Sequence, residues 1–472
     1  MSKNLLRIIC GLFLCGQSFA QDDVYVTGQR MAGYKLIWFE LGQKSEYGDK
    51  YSGGLGTYTA KHHPLAIYSE TAKKTFFVYG GTTAPEKREL LAMLSYYDHT
   101  TGQVPQPVIV HAKKGVNDPH DNPSLQIDKA GYLWIFVSGR GNVRPGFIYK
   151  SAEPFSIDSL VQVREGEFTY PQPIYFDDNG FLLLFTKYTN GRELYWSTSA
   201  DGINWSNDQK LATEGHYQMT NRLDSKVITA FNAHPGGVDQ RTNLYFLQTT
   251  DMGKTWTTVE GTPVETPVNG LNNPALIRDY QREGRLVYLK DINFDADGNP
   301  VLLYITSNYH QPGPKGEPRI WTIAHWNGSE WLFHEVTHST HNYDMGSLYI
   351  EADSIWRIIA PTEAGPQQWG TGGEMANWVS TDQGKTWKKA RDITRNSPYN
   401  HCYARRPVNA HPDFYAFWAN GHADEFSESR LFFTNKTGDK VWQLPYDMSE
   451  DMVTPQQVET GVEDKKHAVP GS

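Results

Sequence analysis

The chain has 472 residues, 39% of them hydrophobic and 21% charged, with 44 Lys plus Arg against 53 Asp plus Glu for a formal charge of −9. That composition excludes a disordered chain, and the acidic balance excludes a protein that grips nucleic acid through net charge. Any anionic ligand must therefore be held by a local basic pocket.

Residues 1–20 read as a secretory signal peptide. Lys3 and Arg7 give the positive start, Ile8 to Cys15 is a short apolar run, and Ser18-Phe19-Ala20 fits small-x-small cleavage before Gln21. The run is too short to span a bilayer, and Leu14 is bulky where a lipoprotein signal has a small residue before its cysteine. The expected location is therefore secreted or periplasmic, with no membrane partner. Removing the segment leaves Cys402 as the single cysteine, so the fold must hold by packing without an internal disulfide.

The rest of the chain repeats. With 42 Gly, 26 Pro and 13% aromatics, it is built for many short strands joined by turns. Tyr34 to Leu41 is expected to supply an outer strand that helps close a ring. Short strands introduced by His or Tyr then follow at His63, His120, Tyr170, Tyr217, Tyr288, Tyr343 and Tyr403, at intervals of roughly 57 residues. Each introduces a second strand, among them Gly131 to Ser138, Gly180 to Thr186 and Asp413 to Ala419. A third strand then leads, in most units, into a turn of one kind. Asp382-Gln383-Gly384-Lys385-Thr386-Trp387, Asp251-Met252-Gly253-Lys254-Thr255-Trp256 and the shorter Asp201-Gly202-Ile203-Asn204-Trp205 are Asp boxes. In such a turn Asp accepts backbone N–H bonds, Gly takes positive φ, and Trp packs back between strands. Seven units of about four strands predict an all-β fold, a seven-bladed β-propeller with Asp-box turns, over residues 21–451. A polar tail, expected to be loose, covers 452–472.

This architecture sorts residues by face. Strand one starts and strand two ends at one mouth of the central channel, and the Asp boxes lie at the other. The first mouth then collects His120, Asn122, Arg140, Tyr170, Tyr188, Tyr217, His234, Lys290, His341, His401, Cys402, Arg405 and Arg406. Such a ring is the default binding or catalytic site. It lacks the pair of facing carboxylates that glycoside hydrolysis usually needs and the Ser-containing elbow of a hydrolase. His, Tyr and Arg suit abstraction of the C5 proton of a uronic acid. A base takes the proton, a cation neutralises the carboxylate, and an acid protonates the leaving O4. That is β-elimination by a polysaccharide lyase, and it requires no cofactor.

Several stretches carry a resemblance. They are Asp118-Pro119-His120-Asp121-Asn122, Thr169-Tyr170-Pro171-Gln172, Phe231-Asn232-Ala233-His234, His341-Asn342-Tyr343-Asp344, Gly372-Gly373-Glu374 and Asn400-His401-Cys402-Tyr403-Ala404-Arg405-Arg406, the last continuing to His411-Pro412-Asp413-Phe414. From about His120 to Phe433 the chain resembles the exported propeller lyases that cut ulvan, polysaccharide lyase families 24 and 25. The resemblance implies cleavage between 3-sulfated rhamnose and glucuronic or iduronic acid, leaving a 4,5-unsaturated uronate. It also implies a His and a Tyr at the mouth, a second His near the end of strand two of the second blade, and an Arg that neutralises the carboxylate. The first His matches His120, and the Tyr is Tyr188 or Tyr217. Arg140 stands where the second His would be, and Asn232-Ala233-His234 where the Arg would be. Asn122, Arg140, His234, Lys290, Arg405 and Arg406 are the candidate contacts to the anionic sulfated polysaccharide, and a monomer is expected. His341, His401 and Cys402, on neighbouring blades, are the candidate ligands of a structural zinc ion.

Two other classes remain open from sequence. A sialidase-like glycoside hydrolase shares the Asp boxes and would use Arg405, Arg406 and Glu363. A non-catalytic glycan-binding propeller would use the aromatic ring for stacking.

Overall fold

A computed structural model describes residues 25–84, 86–87, 89–213, 215–351 and 355–458; the signal-peptide reading lies outside them. Seven antiparallel sheets follow one another in chain order. Blade one is Ala66–Ser69, Lys74–Gly81, Leu90–Asp98 and Val108–Lys113. Blade two is Pro123–Ile127, Leu133–Val137, Gly146–Ser151 and Leu160–Gly166. Blade three is Thr169–Phe176, Gly180–Lys187, Glu193–Ser199 and Gln209–Ala212. Blade four opens with Gly215–Leu223, Lys226–Ala233 and Thr242–Thr249. Blades five and six begin at Leu286–Phe294 and Ser347–Ile350, and blade seven at Asn400–Arg405. The predicted seven-bladed propeller is the observed fold. Among the described residues no helix is long and apolar enough to cross a membrane.

Second strands form the core of each blade because both of their faces are covered. Pro300–Ser307 is buried along its whole length, as a strand flanked on both faces should be. Large rings fill the wedges between blades. Trp134 and Phe181 meet edge to face at 5.0 Å across blades two and three. The Asp boxes seal the outer ends of these wedges. In the blade-six copy, Asp382 Oδ1 accepts the Thr386 N–H at 2.9 Å and Oδ2 accepts the Thr386 hydroxyl at 2.6 Å. Gly384 has φ +79° and would drive a Cβ to 2.7 Å from the Trp356 ring, so only glycine fits. Trp387 folds back to donate to the Gly384 carbonyl at 3.0 Å.

Closure differs from the sequence expectation. Tyr34 to Leu41 is not an outer blade strand. Leu36 bridges Gly81 of blade one and Ser429 of blade seven, and Trp38–Glu40 pairs with Ser52–Gly54 instead. The outermost strand of blade seven is Gln456–Val458, paired with Val441–Gln443, while Met452–Val453 pairs with Val104–Pro105 next to blade one. The expected loose tail is therefore ordered through Val458. Backbone pairing on both sides of the seam outweighs the polar composition that suggested a tail.

The segment after Gly54 has no counterpart in the repeat. It descends into the channel and plugs it. Asn122 Nδ2 donates to the carbonyls of Leu55, Gly56 and Tyr58. Arg405 donates to the carbonyls of Thr59 and His62, and Lys61 Nζ reaches Leu289 O at 3.0 Å. The mouth is thus a basin floored by residues 55–63, not an open pore.

Candidate active site

The basin is built by a recurring backbone irregularity. Tyr170, Tyr217 and Tyr403 open strand one of blades three, four and seven with φ of 55°, 56° and 58°. At each, the pairing register slips, between Thr169 and Gln172, His216 and Met219, and Cys402 and Arg405. A non-glycine residue at positive φ within a bulge is costly and re-aims its side chain. Here two of the three phenols meet, Tyr170 Oη lying 3.4 Å from Tyr217 Oη.

Cations surround Tyr217. The Arg241 guanidinium lies over its ring, 3.7 Å from the centroid. Arg241 is held by donating to Val238 O at 3.0 Å and to Tyr343 Oη at 3.0 Å. Arg140 donates to Tyr170 Oη at 2.8 Å, and Arg192 donates to Tyr188 Oη at 3.1 Å. Lys50, carried in by the hairpin after Leu41, pairs with Asp239. Burial alone would raise the Tyr217 pKa, but Arg241, Arg192, Lys50 and Arg140 together bring it down to about 8. Its neighbours behave oppositely: burial holds Tyr51, Tyr58, Tyr170 and Tyr343 well above the usual phenol value. One phenol in the cluster is therefore tuned for proton transfer near neutral pH.

His120 lies behind this layer, at 1% exposure. Its Nδ1 is paired with Asp118, and its Nε2 lies 2.7 Å from Tyr51 Oη and 2.8 Å from Tyr58 Oη. Burial drives its pKa down to about 4 against the pull of Asp118. The ring is thus neutral at pH 7, with Nδ1–H donated to the carboxylate and Nε2 accepting a phenol proton. Asp118 is further tied by Arg144, which also bonds Asp121.

The other sequence candidates divide. Arg140, with 21% side-chain exposure, and the half-buried Tyr188 and His234 stand at the basin. His234 is brought down to about 4 by burial and by the nearby Arg192 and Arg241. Asn122 and Arg405 do not face a ligand; they hold the plug, because its bent backbone presents carbonyls that need buried donors. Lys290 is also buried, donating to Asn342 O at 2.6 Å. Arg406, just past the end of strand one of blade seven, pairs with Asp291 at 3.4 Å. Assigning Asn122, Arg405 and Lys290 to substrate is corrected by their burial, and assigning Arg406 by its pairing with Asp291.

The zinc ligands do not converge. Among the described residues, His341, His401 and Cys402 are not part of any group whose ligand atoms lie within 4.8 Å of one another. Cys402 Sγ donates to Gly54 O at 3.0 Å, and burial pushes its thiol up. His401 uses Nδ1 for the Trp418 indole N–H and Nε2 for Ser397. The sialidase-like alternative also loses its parts, since Arg405 and Arg406 are committed and Glu363 pairs with Lys389 at 3.1 Å.

Three cations at the basin escaped the sequence reading. Arg241 comes seven residues after His234, the position where the resemblance implies an arginine, and immediately precedes strand three instead of closing strand two. Arg192 follows Tyr188 in the same short loop. Lys50 belongs to no blade repeat.

Residues 87–339 match the model of the BNR repeat-containing family. An ulvan lyase of Nonlabens ulvanivorans is 23% identical over 406 residues, covering 74% of this chain and 81% of that protein. The ulvan lyase of family PL25 from Pseudoalteromonas sp. (strain PLSV) is 22% identical, covering 69% and 72%. A solved structure of a PL25 ulvan lyase superposes with a TM-score of 0.68 at 18% identity, over 86% of this chain and 96% of that one. A structure of a PL25 ulvan lyase bound to -[GlcA(1-4)Rha3S]- gives the same TM-score at 16% identity. The matched model spans more than half of the sequence and five of the seven blades in whole or part, and the chain belongs to the BNR repeat-containing family.

Proposed function

We propose that the protein is a polysaccharide lyase that cleaves ulvan by β-elimination between 3-sulfated rhamnose and a uronic acid. The observation that carries this reading is Tyr217, a buried phenol brought down to about 8 beneath Arg241 and between Arg140, Arg192 and Lys50. A base of that pKa matches its task near neutral pH. The curated relatives and the solved neighbours named above as ulvan lyases support the substrate class.

In this reading the uronate carboxylate sits against Arg140 and Arg192, the two half-buried guanidiniums of the rim. Neutralising it stabilises the charge that develops when C5 loses its proton. The Tyr217 phenolate takes that proton, the C4–O4 bond breaks as the C4=C5 double bond forms, and the proton passes to the departing O4. In glucuronate H5 and O4 lie on the same side of the ring, so one phenol serves both transfers. Tyr188, fixed by Arg192, is the second candidate donor at the rim. His120 acts through Tyr51 and Tyr58, holding them and the plug in place, rather than touching sugar.

We also propose export through the segment 1–20, since Lys3, Arg7 and the run Ile8 to Cys15 fit a signal peptide and a polysaccharide is met outside the cell. The test of function is incubation with ulvan while following the ultraviolet absorbance of the conjugated 4,5-unsaturated uronate. Rising absorbance supports elimination; chain shortening without it refutes elimination, and intact polymer leaves only a binding role.

A further inference from the structure

The opposite face of the propeller holds a second cluster. Among the described residues, one group of His and acidic side chains brings its ligand atoms within 4.8 Å of one another: His99, His411 and Asp413. His99 lies in the turn after strand three of blade one, and His411 and Asp413 in the turn before strand two of blade seven. The group therefore straddles the seam where the ring closes, at the end of the molecule away from Tyr217.

The placement is built rather than incidental. The two imidazoles face each other with centroids 3.9 Å apart. Tyr68 walls the pair, 5.1 Å from His99 and 4.9 Å from His411, and Tyr97 closes the far side of His99 at 4.9 Å. His99 Nε2 bonds Thr75 Oγ1 at 2.8 Å, which leaves its buried Nδ1 with no hydrogen-bond partner. A ring that donates Nε2–H to a fixed oxygen presents Nδ1 as a lone pair, the arrangement that orients a metal-ligating histidine. The turn is closed by the Phe414 N–H, which donates to His411 O at 3.0 Å, and a metal ion taken at His411 Nδ1 displaces the Asp413 N–H that this nitrogen accepts at 3.2 Å. Asp413 Oδ2 lies 3.9 Å from His411 Nδ1, against about 3.3 Å between ligand atoms on a tetrahedral zinc ion with bonds near 2.0–2.1 Å. A small χ rotation of the exposed Asp413 closes that difference.

We propose that His99, His411 and Asp413 bind a divalent transition-metal ion such as zinc, with Thr75 orienting His99, and that the ion clasps blade one to blade seven. Two imidazoles and one carboxylate make a donor set suited to zinc, and the partial exposure of His411 and Asp413 leaves an entry path and room for water as fourth ligand. The seam is otherwise held by non-covalent pairing, including Ile67 with Val408 and Met452–Val453 with Val104–Pro105. A ligand that binds only the closed ring stabilises it by mass action.

The test is titration of chelator-treated full-length protein with zinc chloride, read by calorimetry and by the thermal midpoint. Wild type is expected to bind one equivalent saturably at this site and to melt higher with zinc. Asp413→Asn and His411→Gln should remove that binding step and its thermal shift. Thr75→Val, which keeps shape and removes only the hydroxyl, should weaken binding about tenfold. Lyase turnover should be the same in all variants, because the basin is at the other face. Failure of wild type to bind zinc saturably would overturn the proposal. So would unchanged zinc binding in both Asp413→Asn and His411→Gln. If His411→Gln does not fold, the exposed Asp413→Asn and the isosteric Thr75→Val carry the decision.

Discussion

Tyr217→Phe is the sharpest perturbation of the basin, because it deletes one oxygen and leaves the ring under Arg241. The packing of that ring at 3.7 Å from the guanidinium survives, so folding should be little changed. Loss of a positioned proton-transfer group costs 10²–10⁴-fold, or roughly 3–5 kcal/mol of barrier. Initial rates on ulvan, read by unsaturated-uronate absorbance, should fall by that factor with the melting temperature nearly constant. Wild type adds a second signature. A phenol that acts as base at about 8 is mostly protonated at neutral pH, so kcat/KM should climb with pH, about tenfold between pH 7 and pH 9. The sign is set by deprotonation: activity rises as the phenolate forms. Arg241→Gln removes the cation stacked on the ring and should move that limb to higher pH. Near-full activity in Tyr217→Phe, or a limb that does not move in Arg241→Gln, would refute the assignment. If Tyr188→Phe is the inactive variant instead, the transfer belongs to the phenol held by Arg192.

Other perturbations separate the two faces. Asp382→Ala deletes the carboxylate that accepts three hydrogen bonds of its Asp box, so denaturant melts should show a loss of about 1–2 kcal/mol, with kcat of the folded enzyme unchanged. Arg140→Ala and Arg192→Ala should lower kcat as well as raise KM, because the carboxylate they neutralise takes up charge as C5 loses its proton, and the wild-type kcat/KM should fall with added salt as these rim charges are screened. Acid should destabilise the fold. Burial holds His120 and His401 at about 4, below the usual imidazole value, so their contribution is complete above about pH 6.5 and is lost as pH falls toward 4. Melting temperatures across that interval should therefore drop, and a flat profile would contradict neutral burial of these rings.

The blades were legible because each repeats the same physical solution. A buried strand two, an Asp turn and a packed Trp recur at regular spacing, so Trp205 and Trp387 announced their positions. Tyr217 was legible too, since strand-one openings repeat. The left-handed bulge that aims it is invisible in composition, and so is the slip in register behind it. What the repeat could not show is what breaks it. Residues 34–63 belong to no blade, yet they bring Tyr51 and Tyr58 to His120, bring Lys50 to Asp239 near Tyr217, and turn Asn122 and Arg405 into supports for a plug. Chemistry-bearing residue types on the right face were thus mistaken for ligand contacts. Their burial is set by a segment whose path depends on tertiary packing, not on local pattern.

The central claim is that the C4–O4 bond breaks by elimination and not by attack of water. Digestion of ulvan in heavy-oxygen water, followed by mass spectrometry of the new ends, separates the two. Elimination predicts fragments one water lighter than hydrolysis products, an unsaturated uronate at one end, and no heavy oxygen introduced at the cleaved bond. Fragments that carry solvent oxygen at the new end and lack the unsaturated uronate would contradict it.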